Sequence, residues 1–419
     1  MSKREKISGS IDWVTVTIYI ILVTLGWFSV FTASAGEDVT NLFDLSTRYG
    51  KQILWIGLAV VLALIILVID AKFFSTFSFV FYFGMLILLI AVLLFGSVVA
   101  GSKSWFKIGG FAIQPAEFAK FATALAMAKY LSILNIDMRR LKTKLISLTI
   151  LAVPALLILL QNDTGSALVY FSFVIVLFRE GFSGLLLIVG IIMTLLFLVT
   201  LLISELYVIA ALVVLAFLIL IFIRSVRRHW KAVMGILVLS TAFVYSVNYS
   251  FENVLEPHQK KRINVLLGLE EDLRGAGYNV NQSKIAIGSG GLAGKGFRQG
   301  VLTRYNFVPE QSTDFIFCTV GEEWGFIGVT TVILLFLALL IRIVLLAERQ
   351  RSKFSRIYGY GVASILFFHF AINIGMTVGL APVVGIPLPF FSYGGSSLWA
   401  FTILLFIFIK QDAKRLNVL

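Results

Sequence analysis

Long apolar runs alternate with short polar connections along most of this chain. A helix that spans a bilayer needs roughly 20 mostly apolar residues. Twelve runs come near that length, at 12–34, 52–69, 77–96, 115–134, 145–161, 165–178, 183–203, 206–223, 232–249, 315–341, 357–380 and 396–410. Because two of these runs are short, the pattern predicts an all-α polytopic membrane protein with 10–12 transmembrane helices.

One polar segment, 251–313, interrupts this pattern between the ninth and tenth runs. Connections of this length usually carry a function or lack order, and this one contains apolar residues such as Ile285 and Leu292. We therefore expect a large, folded extracytoplasmic loop. It divides the chain into an N-terminal transmembrane bundle (1–250), the loop itself, and C-terminal transmembrane helices (314–419).

The composition excludes an ordinary soluble protein, because 59% of the 419 residues are hydrophobic and 14% are charged. Soluble domains average about 45–50% apolar residues and about 25% charged residues. The net charge of +13 is an orientation signal, since cytoplasmic loops of membrane proteins carry an excess of Lys and Arg. With a cytoplasmic N-terminus, 22 of the 35 basic residues fall on the cytoplasmic side, and both termini lie there. We therefore expect no nucleic-acid partner.

Two further features limit the possible classes. The single cysteine, Cys318, excludes an intrachain disulfide and a multi-cysteine metal site, and three histidines argue against a His-based metal centre. At the N-terminus, three basic residues, an apolar run and then Ala33–Ala35 also resemble a cleavable signal peptide. Because the apolar run is long for such a peptide, we expect it to be a retained span.

Polar residues at membrane depth are costly to bury and are by default candidates for function. One group leads into the fourth run: Trp105 in the connection, Pro115 where the first turn of a helix is expected, and then Glu117 and Lys120. Residues three apart on a helix share a face and can pair. Glu117 and Lys120 are therefore candidates to hold a polar headgroup. The alternative is a structural ion pair beside an interfacial Trp anchor.

Two other segments are out of place in an apolar chain. In the turn 161–165, Asp163 either caps the next helix or belongs to a site. Between 379 and 397, three prolines and four glycines exclude a regular helix. Irregular backbone at membrane depth persists only where protein or a wet cavity shields it. Asn373, in the preceding run, needs partners for the same reason.

Acidic residues gather where the long loop enters the tenth run: Asp314, Glu322 and Glu323. The 28 steps from Asp314 to Arg342 correspond to about 42 Å of helix, against roughly 30 Å for the hydrocarbon core. With Arg342 at the cytoplasmic edge, all three acids lie at headgroup level, and one of residues 312–313 caps the helix. Asp314 then either complements the helix dipole or acts as a general base.

The loop also contains a Gly-rich segment, 288–296. It is not a phosphate-binding P-loop, because the first required glycine and the final Ser or Thr are missing. It partly fits a dinucleotide fingerprint, but the βαβ context is absent. Flanked by Lys284, Lys295 and Arg298, its backbone is a candidate anion nest.

Together these motifs resemble the SEDS family (shape, elongation, division and sporulation), and its RodA branch more closely than its FtsW branch. The matching segments cover nearly the whole chain: Trp105–Lys120, Asp163–Gly165, His258–Ile263, Gly275–Tyr278, Gln282–Gly291, Gly294–Gly300, Pro309–Phe317, Glu322–Glu323 and Pro382–Ser397. There is one departure: the family usually has ten spans, and about two extra ones fall between 183 and 250.

The resemblance implies a peptidoglycan glycosyltransferase for cell elongation and shape. Such an enzyme polymerises lipid II, an undecaprenyl-diphosphate-linked disaccharide pentapeptide, on the outer face of the bacterial cytoplasmic (inner) membrane. It implies partnership with a class B penicillin-binding protein and other elongation-complex proteins. The family's essential aspartate corresponds to Asp314, and the Glu and Lys of its fourth span correspond to Glu117 and Lys120. No cofactor is evident; binding a divalent cation, Mg²⁺ or Mn²⁺, is the competing role for Asp314.

Glycosyl transfer from a diphosphate needs a carboxylate to take a proton and cations to stabilise the leaving group. We predict that Asp314 is the base. The predicted substrate contacts are Trp105, Glu117, Lys120, Arg262, Gln282, Lys284, Ser289, Lys295, Arg298, Ser392 and Ser396, and the secondary candidates are Asp163, Glu322, Glu323 and Asn373. Two other classes stay open. A flippase or transporter of lipid-linked precursors predicts polar sites near the midplane, and a non-catalytic scaffold of the cell-wall synthesis complex predicts that Asp314 is dispensable.

Overall fold

The structure of this protein is a computed structural model. It describes residues 11–35, 41–99, 101–108, 110–134, 136–253, 260, 264, 276–305 and 307–416. Its first helices are α1 (Trp13–Ser34), α2 (Arg48–Val68), α3 (Ala71–Thr76), α4 (Ser78–Phe95), α5 (Pro115–Ser132), α6 (Leu141–Leu160), α7 (Thr164–Leu168) and α8 (Phe173–Arg179). They are followed by α9 (Leu185–Leu202), α10 (Glu205–Phe222), α11 (Arg224–Arg227), α12 (Trp230–Asn253), α13 (Ala276–Ser289), α14 (Val301–Arg304), α15 (Ile316–Glu348), α16 (Lys353–Thr377) and α17 (Gly395–Ala413).

The helices confirm the predicted polytopic class. Within the described residues, nine helices are long and apolar enough to cross a membrane, and two shorter apolar helical stretches accompany them. Each of the twelve predicted runs falls on helix. The run at 165–178 is interrupted, because a 3₁₀ segment at Val169–Ser172 separates α7 from α8.

A small antiparallel sheet follows α4, where the sequence predicted only a connection. It contains β1 (Ser97–Val99), β2 (Ser102–Ile108) and β3 (Phe111–Ile113) in the order β1-β2-β3. Gly101 allows the tight turn between β1 and β2, because its φ of +86° is a conformation that glycine adopts without steric cost. The N–H of Lys103 donates to the carbonyl of Gln161 at 3.0 Å. The sheet therefore joins the end of α6 to the start of α5.

Two compact units divide the chain, one formed by residues 1–182 with 278–419 and the other by residues 183–277. In the first unit, α16 and α17 are largely enclosed by the other helices, since 72% and 89% of the residues in their apolar 18-residue stretches are buried. Most of their residues are apolar or small, which is typical of helices at the centre of a bundle. In the second unit, the side chain of Asn248 on α12 donates to Glu205 on α10 at 2.9 Å.

Helix α15 is broken at Gly325, which has φ +59° and ψ −155°. Beyond the break, the N–H groups of Phe326 and Ile327 donate to the carbonyls of Gly291 and Leu292 at 2.9 and 3.1 Å. Before the break, helix carbonyls accept from the Gly-rich segment, from Lys295 N to Glu322 O at 3.0 Å and from Gly296 N to Glu323 O at 3.0 Å. The segment 288–296 therefore replaces hydrogen bonds that the helix loses, and we call it the splint.

The splint corrects the predicted anion nest. At least two of its N–H groups point to helix carbonyls, so they are not available to an anion. Close approach explains two of its glycines, since a Cβ on Gly290 would lie 2.0 Å from Gly321 O and one on Gly294 would lie 2.0 Å from Glu323 O. Glycine is required at these two positions because two main chains touch there.

The start of α15 also differs from the prediction. The helix begins at Ile316 after Phe315, with no side-chain cap. Ser312 and Thr313 do not cap it, because their hydroxyls contact Arg48 and Glu310. The chain makes an irregular turn before the helix, and Asp314 lies in that turn rather than in the first helical turn.

Candidate active site

The irregular segment between α16 and α17, residues 378–394, contains no helix or strand, as its prolines predicted. We call it the strap. It packs tightly against helices of the first unit: a Cβ on Gly165 would lie 2.2 Å from Val384 O, and one on Gly26 would lie 2.6 Å from the Cα of Phe391. The strap is therefore shielded by protein, which is the condition for irregular backbone at membrane depth.

Asp314 lies against the strap. Its side chain is half-buried, and a Cβ built on Gly385 would lie 3.5 Å from its Oδ2. Its carbonyl accepts a hydrogen bond from Nδ2 of Asn373 at 2.9 Å, and the same Nδ2 donates to Ile386 O at 2.7 Å. Asn373, a secondary candidate, therefore fastens the main chain of Asp314 to that of the strap.

Two further bonds hold the residues before Asp314. The hydroxyl of Ser392 donates to Thr313 O at 2.6 Å and accepts from Leu388 N at 2.9 Å, and Tyr393 N donates to Ser312 O at 2.9 Å. The single proton of the Ser392 hydroxyl is thus already used within the protein. Its position beside Asp314 is established, whereas its contact with substrate stays a prediction.

Glu117 and Lys120 pair as their spacing predicted, with Nζ 2.8 Å from Oε1, one turn into α5 after Pro115. Both side chains are almost fully buried, at 3% and 2% exposure. Lys120 Nζ also lies 2.9 Å from Nε2 of His369 and 4.9 Å from the centre of the Phe401 ring. The pair is therefore part of a three-residue cluster within the bundle.

His369 was missed by the sequence reasoning, which counted histidines only to argue against a metal centre. It is fully buried in α16, and its Nδ1 lies 3.1 Å from the carbonyl of Pro387 in the strap. A signal was present: of the three histidines in the chain, only this one lies inside a predicted span. Intramembrane ionisable residues are functional candidates by default.

Arg48 is a second residue that the sequence did not single out. It begins α2, its guanidinium donates to Ser312 Oγ at 2.6 Å, and it lies 3.9 Å from Glu310. A cleft of about 400 Å³ opens here, lined by Ala33, Ser34, Arg48, Val308, Pro309, Glu310 and Gln311. A half-exposed cation therefore lies in a cleft that adjoins the Asp314 turn.

Four predicted basic contacts occupy different places. Lys284 is exposed, with Nζ 3.6 Å from a Cβ built on Gly379 at the start of the strap. Lys295 pairs with Glu322 at 2.8 Å, beside the break in α15. The guanidinium of Arg298 lies 5.5 Å from the centre of the Phe31 ring. Arg262 lies outside the described residues.

The acids of α15 are not exposed to headgroups. Glu322 is fully buried and accepts from the N–H groups of Leu302 and Thr303 at 3.0 and 2.9 Å, in addition to Lys295. Glu323 is also buried, and its Oε1 accepts from Arg298 N at 3.0 Å. Their side chains therefore anchor the loop that contains α14, and their predicted position at headgroup level stays a prediction.

The remaining candidates lie beside the small sheet or along α13. Asp163 caps α7 through Ser166 N at 3.0 Å, which confirms the capping role, and it also accepts from the side chain of Gln114 at 2.7 Å; its role in a site stays a prediction. Ser396 donates to Ala112 O at 3.1 Å. Trp105 lies in β2, Gln282 is partly exposed on α13, and the Ser289 hydroxyl donates to Ala286 O at 2.8 Å.

A resident metal does not fit this arrangement. Among the described residues, no group of three His, Cys, Asp or Glu side chains could hold a metal ion. Mg²⁺ is usually bound by one or two carboxylates together with substrate phosphates. Asp314 could supply one such ligand only alongside a substrate.

The fold and the site define a polytopic α-helical membrane protein whose candidate carboxylate lies in a turn beneath an irregular strap. The chain belongs to the cell cycle protein family FtsW/RodA/SpoVE, whose model matches residues 12–212 and 208–416. This confirms the resemblance stated above, since RodA and FtsW are SEDS proteins.

Named relatives agree with this assignment. The chain is 32% identical to the peptidoglycan glycosyltransferase RodA of Treponema pallidum (strain Nichols), over 97% of this chain and 98% of the relative. It is 32% identical to the peptidoglycan glycosyltransferase MrdB of Escherichia coli (strain K12), over 91% of this chain and 89% of the relative. The fold also matches a solved structure described as "Structural coordination of polymerization and crosslinking by a peptidoglycan synthase complex". The match has a TM-score of 0.70 and 26% sequence identity, and it covers 97% of this chain and 98% of that chain.

Proposed function

We propose that this protein is a peptidoglycan glycosyltransferase that joins lipid II units into glycan strands at the outer face of the bacterial cytoplasmic membrane. The observation that carries the proposal is the placement of Asp314, a half-buried carboxylate between the strap and a cleft that contains a cation. The names of relatives that match along nearly their whole length point to the same activity.

The reaction joins a sugar hydroxyl of one substrate to the anomeric carbon of another. The hydroxyl oxygen forms the new bond, its proton passes to the carboxylate of Asp314, and the bond between the anomeric carbon and the diphosphate breaks. The diphosphate leaves with the electron pair and needs nearby positive charge. Arg48 in the cleft and Lys284 at the start of the strap are the described cations best placed beside this turn.

The site has a second requirement, which is a fixed position for the base. Asp314 is held through its main chain by Asn373, and its neighbours are held by Ser392 and Tyr393. These bonds leave the carboxylate half-exposed while its backbone is fixed. A preorganised base loses little free energy to reorientation during the reaction.

The partner in this proposal is a class B penicillin-binding protein. A polymerase that releases uncrosslinked strands needs a transpeptidase beside it, and the similar solved chain comes from a complex that couples polymerization to crosslinking. Both termini and the basic connections face the cytoplasm in this orientation, as the distribution of Lys and Arg favours.

The decisive experiment supplies lipid II to the purified protein together with its transpeptidase partner and measures glycan polymer on gels. We expect Asp314→Ala and Asp314→Asn to reduce the polymerisation rate by about 10²–10⁴-fold, the usual contribution of a general base. The matched control is Asp137→Asn, which removes an exposed carboxylate from the connection between α5 and α6. Undiminished polymer from Asp314→Ala would contradict the role of Asp314 as the base. If the native complex makes no polymer, the proposed function is wrong.

One observation favours a second candidate, transport of the lipid-linked precursor. The cluster of Glu117, Lys120 and His369 lies buried within the helical bundle, and such intramembrane charges also mark transport pathways. Fluorescent lipid II in proteoliposomes tests this candidate. Movement of the label between leaflets by both native protein and Asp314→Ala, without polymer from either, would favour transport.

A further inference from the structure

Two side chains of α16 reach the strap from the same helix face. His369 and Asn373 are four residues apart, which places them on adjacent turns. Asn373 donates to Ile386 O at 2.7 Å, and Nδ1 of His369 lies 3.1 Å from Pro387 O. Consecutive carbonyls of the strap are therefore held by consecutive turns of one helix, directly beside the Asp314 turn.

The contact with Lys120 fixes the protonation of the imidazole. A lysine ammonium can donate hydrogen bonds but cannot accept them. Because Nζ of Lys120 lies 2.9 Å from Nε2, that nitrogen is the acceptor and carries no proton. The proton of the neutral ring is then on Nδ1, where it is donated to Pro387 O. The same Nζ donates to Oε1 of Glu117 at 2.8 Å, which fixes its direction.

Protein encloses the three side chains of the cluster. His369 is fully buried, and Lys120 and Glu117 are nearly so. The Phe401 ring closes one side of the cluster, with its centre 4.8 Å from that of the imidazole and 4.9 Å from Nζ of Lys120. Pro387 is partly buried, and among the described residues only the side chain of His369 donates to its carbonyl, so loss of this bond releases the strap at Pro387.

We propose that His369 is a positioning residue for glycosyl transfer. Its neutral Nδ1–H ring, held in one orientation by Lys120, fixes the strap at Pro387 and thereby the neighbouring Ile386 carbonyl, which shares the Asn373 amide with the carbonyl of Asp314. The inference rests on the proposed function, because it assigns the strap the task of holding Asp314 in its productive position. Misplacement of a reacting group by about 1 Å can cost about 100-fold in rate.

Two amide variants separate the two bonds of the ring. In His369→Asn the amide nitrogen takes the position of Nδ1, so the donor to Pro387 O is kept and the acceptor for Lys120 is lost. In His369→Gln the amide oxygen takes the position of Nε2, so the acceptor is kept and the donor is lost. We expect His369→Gln to lower kcat for lipid II polymerisation by about 100-fold with KM unchanged, and His369→Asn to stay within about fivefold of native.

Hydrogen–deuterium exchange of peptides from 378–394 gives a readout that is independent of activity. We expect faster exchange in His369→Gln and native exchange in His369→Asn. Tyr358→Phe is the matched control, because it removes another buried hydrogen bond of α16, from the Tyr358 hydroxyl to Leu404 O at 3.0 Å, about three helical turns from His369. It should leave both kcat and strap exchange unchanged.

The inference fails if His369→Gln polymerises lipid II at the native rate, or if His369→Asn loses activity as completely as His369→Ala. Equal losses of kcat in the amide variants and in Tyr358→Phe would also overturn it, because they would indicate general destabilisation. These outcomes all require active native protein. If native protein makes no polymer while Asp314→Ala behaves in the same way, the proposed function fails instead.

Discussion

The carbonyl of Gly291 accepts a hydrogen bond from the N–H of Phe326 at 2.9 Å, across 35 residues of sequence and directly beside the break in α15. This bond and its neighbours let a helix change direction without leaving main-chain groups unpaired. The break is therefore a built feature of the fold. It also determines where the buried Glu322 and Glu323 side chains meet the loop that leads to Asp314.

Substitution at the break should be costly. Gly325→Ala places a Cβ 2.3 Å from Gly294 N and requires an L-residue to hold φ +59° with ψ −155°. We expect the free energy of unfolding to fall by about 1–3 kcal/mol from backbone strain alone, with a lower Tm in detergent. Gly84→Ala is the control, since a Cβ there meets nothing within 4 Å. Equal Tm values for the two variants would contradict the conclusion that the contact of the splint with α15 at Gly325 stabilises the fold.

Glu322 should matter more for stability than its partner Lys295. In Glu322→Gln, an amide replaces the carboxylate that accepts from two N–H groups and an ammonium. We therefore expect the free energy of unfolding to fall by about 1–3 kcal/mol. Lys295→Met should cost about 1 kcal/mol or less, because the lysine side chain is 30% exposed and water screens the pair. Thermal unfolding followed by tryptophan fluorescence measures both. A larger loss in Lys295→Met would show that the ion pair, rather than the backbone bonds, holds this loop.

The N-cap of α1 gives a pH-dependent contribution to stability. Burial opposes ionisation of Asp12, but hydrogen bonds from Arg342 and Thr15 outweigh burial and lower its pKa from 3.8 to about 2. A lowered pKa stabilises the fold fully above the ordinary value near 4, and the contribution disappears as pH falls through about 2. The Tm difference between native protein and Asp12→Asn should therefore be constant from pH 7 to about 5 and shrink below pH 4. A difference that grows on acidification would refute this assignment.

Arg48 should contribute to catalysis if the cleft binds diphosphate. We expect Arg48→Ala to lower kcat/KM for lipid II polymerisation by about 100-fold, the usual scale for one donor that stabilises developing charge. Arg48→Lys should retain part of the activity, because an ammonium keeps the charge and loses the planar fork. Lys51→Ala, one turn further along α2, is the control. A loss in Lys51→Ala as large as in Arg48→Ala would point to a general loss of positive charge.

Local spacing was enough to predict the local parts of the site. Glu117 and Lys120 pair because three residues make nearly one helical turn, and Pro115 begins α5 because its missing N–H suits that position. The apolar runs predicted the helices for the same reason. None of these inferences required knowledge of which helices are neighbours.

The missing parts depend on tertiary contact. His369 lies among phenylalanines in the sequence, and its two polar partners come from α5 and from the strap. The splint has the composition of an anion-binding loop, and only its contact with α15 shows that its N–H groups are already used. No local motif marks Arg48, and its place beside the Asp314 turn depends on its contact with Ser312, 264 residues further along the chain.

The buried cluster of Glu117, Lys120 and His369 also has an electrical property. One negative charge, one positive charge and a neutral ring sum to zero. Moving a full charge through a membrane potential is worth about 2.3 kcal/mol per 100 mV, but a neutral group moving as a unit does almost no electrical work. The charges of this buried cluster therefore couple only weakly to voltage, and glycan synthesis should proceed at the same rate in polarised and depolarised membranes.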